Sequence, residues 1–232
     1  MDKQQSTNTM DNKTQPTAEV KPEKKPNESS GIYIRGHIKI FDPETKEVYI
    51  DKANAIHYEN MSIALANSIA DKGQNFIYEM NFGNGGTSVD PTGIITYLPT
   101  NTVGQNANLY NPTYSKIVDD TAIANPDPVN NKMTVSHIPG TVYTDILVSC
   151  LLDYGEPSGQ SAFDNSTNLS GQYVFDELGL RGRSTDGTSG LTSTGLLLTH
   201  VVFHPVQKAL NRLIQIDYTV RIQTLTNLSS IG

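Results

Sequence analysis

Two histidines stand four residues apart in LLTHVVFHPVQ, Leu197–Gln207, in a chain that has five histidines in all. On a helix, His200 and His204 would share a face and could ligate one metal, as in the H-E-x-x-H arrangement. The segment reads otherwise. It has β-branched and aromatic residues ahead of Pro205, no helical period, and no Glu between the imidazoles. A strand would also put both rings on one face, because their separation is even, but their Cα atoms would then stand roughly 13 Å apart. One metal needs both ring nitrogens at about 2 Å, so strand residues are expected here and not a zinc site. His37, His57 and His137 have no Cys or carboxylate neighbours at ligand spacing. No metal and no other cofactor is expected.

The remaining chemistry-bearing stretches read as loops or as isolated side chains. FGNGGTSVD, Phe82–Asp90, is rich in glycine, but it lacks the G-K-[ST] of a phosphate loop and a second strand follows it where a helix would be needed. Asn84-Gly85 is instead expected to form a positive-φ turn. DNSTNLSG and STDGTSG combine carboxylates with hydroxyls, yet lack the alternating acidic ligands and terminal Glu of a calcium loop. Asp119-Asp120 and Asp176-Glu177 are adjacent in sequence, so strand geometry predicts that each pair splits across two faces and forms no acid/base dyad. There is no G-x-S-x-G elbow. The single cysteine, Cys150, sits in TDILVSCLLDYG as a small buried hydrophobe. No catalytic, cofactor-binding or metal-binding residue is assigned, and no enzymatic activity is expected.

Composition narrows the classes further. The chain has 232 residues, no Trp, one Cys and a net charge of −7. One cysteine excludes an intrachain disulfide framework. The acidic balance, without a Lys/Arg cluster in the body, argues against direct nucleic-acid binding. The N-terminal MDKQQSTNTMDNK has no apolar stretch, so no secretory signal is expected. No segment approaches the roughly 18 apolar residues of a membrane span. Residues 1–30 carry five Lys against five Asp/Glu and almost no apolar side chains, so the whole charge of −7 belongs to residues 31–232. Such a segment cannot offset its ordering entropy by burial, and an extended, disordered-type N-terminal arm is expected there.

Residues 31–232 are expected to form a single domain. In GIYIRGHIKIFD, Ile32, Ile34, Ile38 and Ile40 alternate with polar partners, as in a half-buried strand. VYIDKANAIH returns after the DPETKE turn as its hairpin partner. NMSIALANSIADKG is the one convincing helix, with Asn60 as N-cap, Ile63, Ala66, Ile69 and Ala70 as its face, and Gly73 beyond its end. Strands are then expected in FIYEMNFG, IITYL, YSKIVDD, MTVSHI, VYTDILVSCLLDYG, QYVFDELGL and the histidine segment. VYTDILVSCLLDYG is apolar on both faces at its centre, as an interior strand would be. In the last strand Ile214, Ile216, Tyr218, Val220 and Ile222 alternate with polar residues. About ten strands with one helix predict a mainly β protein, an antiparallel sandwich of jelly-roll type.

The order of these pieces carries a resemblance. ANAIHYENMSIALANSIAD, then IYEMNFGNGGTSVDPTG, then FDELGL followed by GLLLTHVVFHPVQKALNRLIQIDYTVRI, resembles the β-sandwich modules of tailed-bacteriophage virions found in neck, collar, fibre-attachment and decoration components. The likeness covers roughly residues 31–223 and brings no catalytic residue. It implies a structural protein, made in the host cytoplasm and placed in the virion, that forms a ring or other symmetric homo-oligomer and contacts other virion proteins. A neck, collar or tail-attachment position is the leading expectation and a capsid decoration protein the alternative. A carbohydrate-binding sandwich contacting the host surface is the second alternative, with Tyr97, Tyr110 and Tyr114 as its aromatic candidates. A further expectation places His200 and His204 at an interface, where they would tune assembly with pH.

Overall fold

The structure is a computed structural model that describes residues 30–73, 76–158, 172–184, 186–191 and 194–226. The chain divides into two units, and the one described is Gly31–Leu225. The arm expected at residues 1–30 lies outside the described residues, as does the DNSTNLSG segment.

The described residues hold eleven strands and one helix. They are β1 (Ser30–Phe41), β2 (Val48–Ile56), α1 (Tyr58–Ile69), β3 (Ile77–Gly83), β4 (Thr87–Val89), β5 (Ile95–Tyr97), β6 (Pro112–Ile117), β7 (Lys132–His137), β8 (Tyr143–Leu152), β9 (Gln172–Gly182), β10 (Thr199–Ala209) and β11 (Ile214–Thr226). Nine strands form one antiparallel sheet in the order β6-β3-β9-β10-β2-β1-β11-β8-β7, and β4 and β5 form a small separate hairpin. The sheet is curled into a sandwich. One flank runs from β2 to β7 and the other from β6 to β10, and the seam between them is only two pairs long, Thr199 opposite Ile56 and His200 opposite Ala55. The flanks meet again at their far ends, where Lys116 of β6 donates to Leu151 O of β8 at 2.5 Å.

The core lies between the flanks because alternation aims one face of each strand inward. Ile34, Ile38 and Ile40 of β1 pack with Val148, Cys150 and Leu152 of β8 and with Ile214, Ile216, Tyr218 and Val220 of β11. The opposite flank contributes Met80, Phe82, Tyr173, Phe175, Leu178, Leu180, Val201 and Phe203. Phe175 meets Phe82 and Phe203 edge-on, at 5.4 and 5.8 Å between ring centres, an arrangement favoured by the ring quadrupoles. Burial pushes the Cys150 thiol up to about 12, so it is an inert core residue. Lys208 is also buried. It donates to Asp153 O, Glu156 O and Ala209 O, which tethers the turn after β8, and burial pulls its amine down to about 8.

Several local features differ from the sequence expectation. The N-cap of α1 is His57, whose Nδ1 accepts from Asn60 N–H at 3.2 Å while Nε2 lies 2.9 Å from Gly104 O. Asn60 lies inside the helix, fully buried, with Nδ2 donating to Leu197 O and Gln105 O. That anchor turns the helix so that Met61 and Ala64 are buried, while Ile69 is 81% exposed. The glycine-rich stretch after β3 contains strand β4, which pairs with β5. β8 is interior to the sheet but alternates, with Val148, Cys150 and Leu152 buried and Leu147 exposed. In β1, Ile32 is exposed, one pair before the inward series begins.

Candidate functional site

The densest polar cluster is built from FDELGL, the glycine-rich loop and the histidine strand. Strand alternation predicts Asp176 and Glu177 on opposite faces, but the structure puts both on the outer one. Tyr173, Phe175, Leu178 and Leu180 all enter the core, so the inward series skips one residue at Asp176-Glu177. A bulge causes this. Val202 pairs with Glu177 and Val206 with Phe175, so Phe203, His204 and Pro205 lie against Asp176 alone.

Both carboxylates are buried and fully occupied. Asp176 Oδ1 accepts from Gly86 N–H and Oδ2 from Thr87 N–H, each at 2.9 Å, with the Thr87 hydroxyl also on Oδ2. Glu177 Oε1 accepts from Asn111 N–H at 2.8 Å and Gly85 N–H at 3.1 Å. Its Oε2 accepts from Tyr110 N–H at 2.9 Å and is 3.0 Å from His200 Nε2. His200 is itself fully buried, and its Nδ1 accepts from Asn101 N–H at 2.7 Å. A nitrogen that accepts cannot carry the proton, so the proton sits on Nε2 and is donated to Glu177. Burial alone would raise the Glu177 carboxyl. The His200 bond and the amides of Asn111 and Tyr110 outweigh burial and hold it below the usual range. Asp176 goes the other way, raised by burial and the neighbouring Glu177 charge despite its bonds to Thr87 and Gly86.

This arrangement is a clamp. Side chains of β9 and β10 hold the backbone of residues 85–87, 101 and 110–111 against the outer face of the sheet. Its glycines serve close approach. Gly85 is not among the positive-φ residues, contrary to the turn expected there. A Cβ at Gly83 would lie 2.5 Å from Glu177 Oε1 and 2.6 Å from Asn111 O, and one at Gly86 would lie 2.9 Å from Val202 Cγ1. Gly83→Ala should therefore cost about 2 kcal/mol by overpacking, read as a lower urea midpoint with unchanged slope.

The other sequence candidates are dispersed. His204 is exposed and its Nδ1 lies 3.3 Å from Tyr97 Oη, so the two strand histidines have separate partners and His200 is closed off from any interface. His37 pairs with Asp51 at 2.9 Å, His57 caps α1, and His137 Nδ1 is 3.1 Å from Tyr143 O. Among the described residues, no three His, Cys, Asp or Glu side chains converge on a point. Asp119 is buried and accepts from the Thr121 amide and hydroxyl, while Asp120 is exposed. Asp186, in STDGTSG, is held down to about 2, first by the Ser184 hydroxyl and then by Thr188. Of the three candidate tyrosines, Tyr97 pairs with His204. Tyr114 packs on Phe82 at 5.9 Å, and Tyr110 donates to Pro99 O at 2.6 Å.

A second buried pair lies across β3 and β9, where Glu79 and Arg181 are cross-strand partners. Glu79 is fully buried and accepts from Gly190 N–H at 2.7 Å. Burial pushes its carboxyl up to about 7, against the pull of that bond and of the Arg181 charge. Sequence reasoning weighed Asp176-Glu177 only as an acid/base dyad and set it aside, gave Arg181 no role, and did not consider Glu79. The available signal was ionisable residues inside the apolar strands IYEMNFG and QYVFDELGLRG, where a charge is expensive unless something is built around it. No described helix is long and apolar enough to cross a membrane. No family model, no curated protein and no solved structure matches this chain.

Proposed function

We propose that this protein is a non-enzymatic structural component of a tailed-phage virion, seated at the neck or collar or at a tail attachment point. It assembles into a homo-oligomer and contacts other virion proteins, and the virion is its working location. The observation that carries the proposal beyond the segment resemblance is how the clamp uses its ionisable groups. Both carboxylates and both nitrogens of His200 are engaged within the fold, on backbone amides or on each other. Such a cluster stiffens a surface excursion and leaves no base or nucleophile free.

Two sheet edges support a role in assembly. β6 and β7 end the strand order, and an edge strand presents unpaired backbone groups to a neighbour. Around β7 the side chains of Val135, Ile138 and Val142 are 69, 56 and 55% exposed, and exposed apolar clusters of this kind mark contact surfaces. Residues 1–30 supply Lys-, Pro- and Glu-rich sequence suited to reaching across a neighbour.

The test is solution mass by light scattering, for the full chain and for the chain lacking residues 1–30. A discrete ring-sized assembly that dissociates on truncation is the expected result. A monomer in both forms overturns the proposal and favours a decoration protein that needs a shell surface, which copy counting in purified particles then decides.

A further inference from the structure

Among the described residues, no anion contacts the buried cation of Arg181. It is 4% exposed, and a guanidinium keeps its charge at any ordinary pH. Its Nη1 donates to Gly195 O at 2.6 Å and its Nη2 to Asn108 Oδ1, both neutral acceptors. Its Nε–H has no hydrogen-bond partner among the described residues. Glu79 is the one carboxylate among the described residues that acts on Arg181, and it does so through its field rather than by an ion pair. That carboxylate is raised to about 7, so its compensation is itself weakened near neutrality. A buried, incompletely compensated charge is costly.

Arg181 also lines a cavity of about 360 Å³, together with Gln105, Asn106, Asn108, Thr194 and Gly195. The volume falls within the usual range for a small-ligand site, and the lining is chiefly amide, hydroxyl and backbone. Asn108 commits its Oδ1 to Arg181 and to Leu109 N–H, which leaves its Nδ2 as a donor. We propose that this cavity binds a small oxyanion, a phosphate or carboxylate group, with Arg181 as its cation and the Asn106 and Asn108 side-chain amides as further donors. Bidentate recognition of such groups is what a guanidinium edge is shaped for. Two carboxylates neighbour the site: Glu79, which acts on Arg181, and Asp186, whose Oδ2 accepts from Thr194 Oγ1 at 3.4 Å.

The experiment titrates inorganic phosphate, and separately acetate, into the full-length protein at constant ionic strength set with chloride. Binding is read by calorimetry and by the rise in melting temperature that a ligand of the native state produces. Saturable binding of one or both anions is expected, and which of them binds names the anion. Asn106→Asp adds a charge at an exposed rim residue without disturbing the buried groups, and it should weaken binding about tenfold. Asp186→Asn and Glu79→Gln should each tighten it. Arg181→Gln should abolish binding, but the rim variant carries the test should that protein fail to fold. Heat and melting shifts no larger than those of chloride, or binding indifferent to Asn106→Asp, would overturn the proposal.

Discussion

Replacing Glu177 by Ala should lower the free energy of unfolding by about 3 kcal/mol, because it strips the acceptor from the buried His200 Nε2–H and from three backbone amides at once. The carboxylate is fully buried and accepts four hydrogen bonds. Its removal leaves the amides of Gly85, Tyr110 and Asn111 and the Nε2–H of His200 without that acceptor, and His200 is fully buried. An unsatisfied buried donor costs far more than the net gain from making its bond. Glu177→Gln keeps one acceptor oxygen and should cost less. Urea unfolding measures the loss, and hydrogen exchange locates it. The amides of Gly85, Tyr110 and Asn111 should lose protection before those of β11, because the clamp holds the excursion rather than the core. A loss below about 1 kcal/mol for Glu177→Ala would mean that residues 84–111 are held by packing alone. The pH dependence has a definite sign. With its folded carboxyl held low, Glu177 adds stability above the ordinary Glu range and loses it as the pH falls through the folded value. Asp176, raised by burial, opposes this.

Glu79→Gln should have the opposite effect, raising stability by about 3 kcal/mol at pH 8. The folded carboxyl titrates at about 7 against a model value of 4.5. The folded state therefore binds the proton more tightly, and stability falls as the pH rises from about 4.5 to about 7. Above that range the whole cost of an ionised, buried Glu79 is present. A neutral amide removes it, and its oxygen still accepts from Gly190 N–H. At pH 4, where Glu79 is protonated in the folded state, wild type and variant should be nearly equal. Chemical unfolding at several pH values reads both the gain and its disappearance. An equal effect at pH 4 and pH 8 would assign the change to packing.

The sequence by itself determined the architecture. The alternation of Ile34, Ile38 and Ile40 and of Ile214, Ile216, Tyr218 and Val220 is a direct readout of which face each strand buries, since side chains alternate with period two. The scarcity of helical periods excluded parallel βαβ units, and the hairpin of β1 and β2 followed from a turn between two alternating runs. The strand character of Leu197–Gln207 was legible from its residue types, and with it the separation of His200 from His204. The tertiary structure alone decided the clamp. Its cause is a bulge, one register slip between β9 and β10 that turns Asp176 and Glu177 to the same face, and no local propensity marks where a ladder will slip. The helix face was misjudged for a related reason. Asn60 reads as a cap by type, but hydrogen bonds to Leu197 O and Gln105 O, far along the chain, draw it inward and rotate α1 about it. Period is a local property and survives in the sequence. Which polar group is paid for by a distant backbone amide is a non-local one, fixed only when the sheet has curled and brought residues 84–111 over β9 and β10.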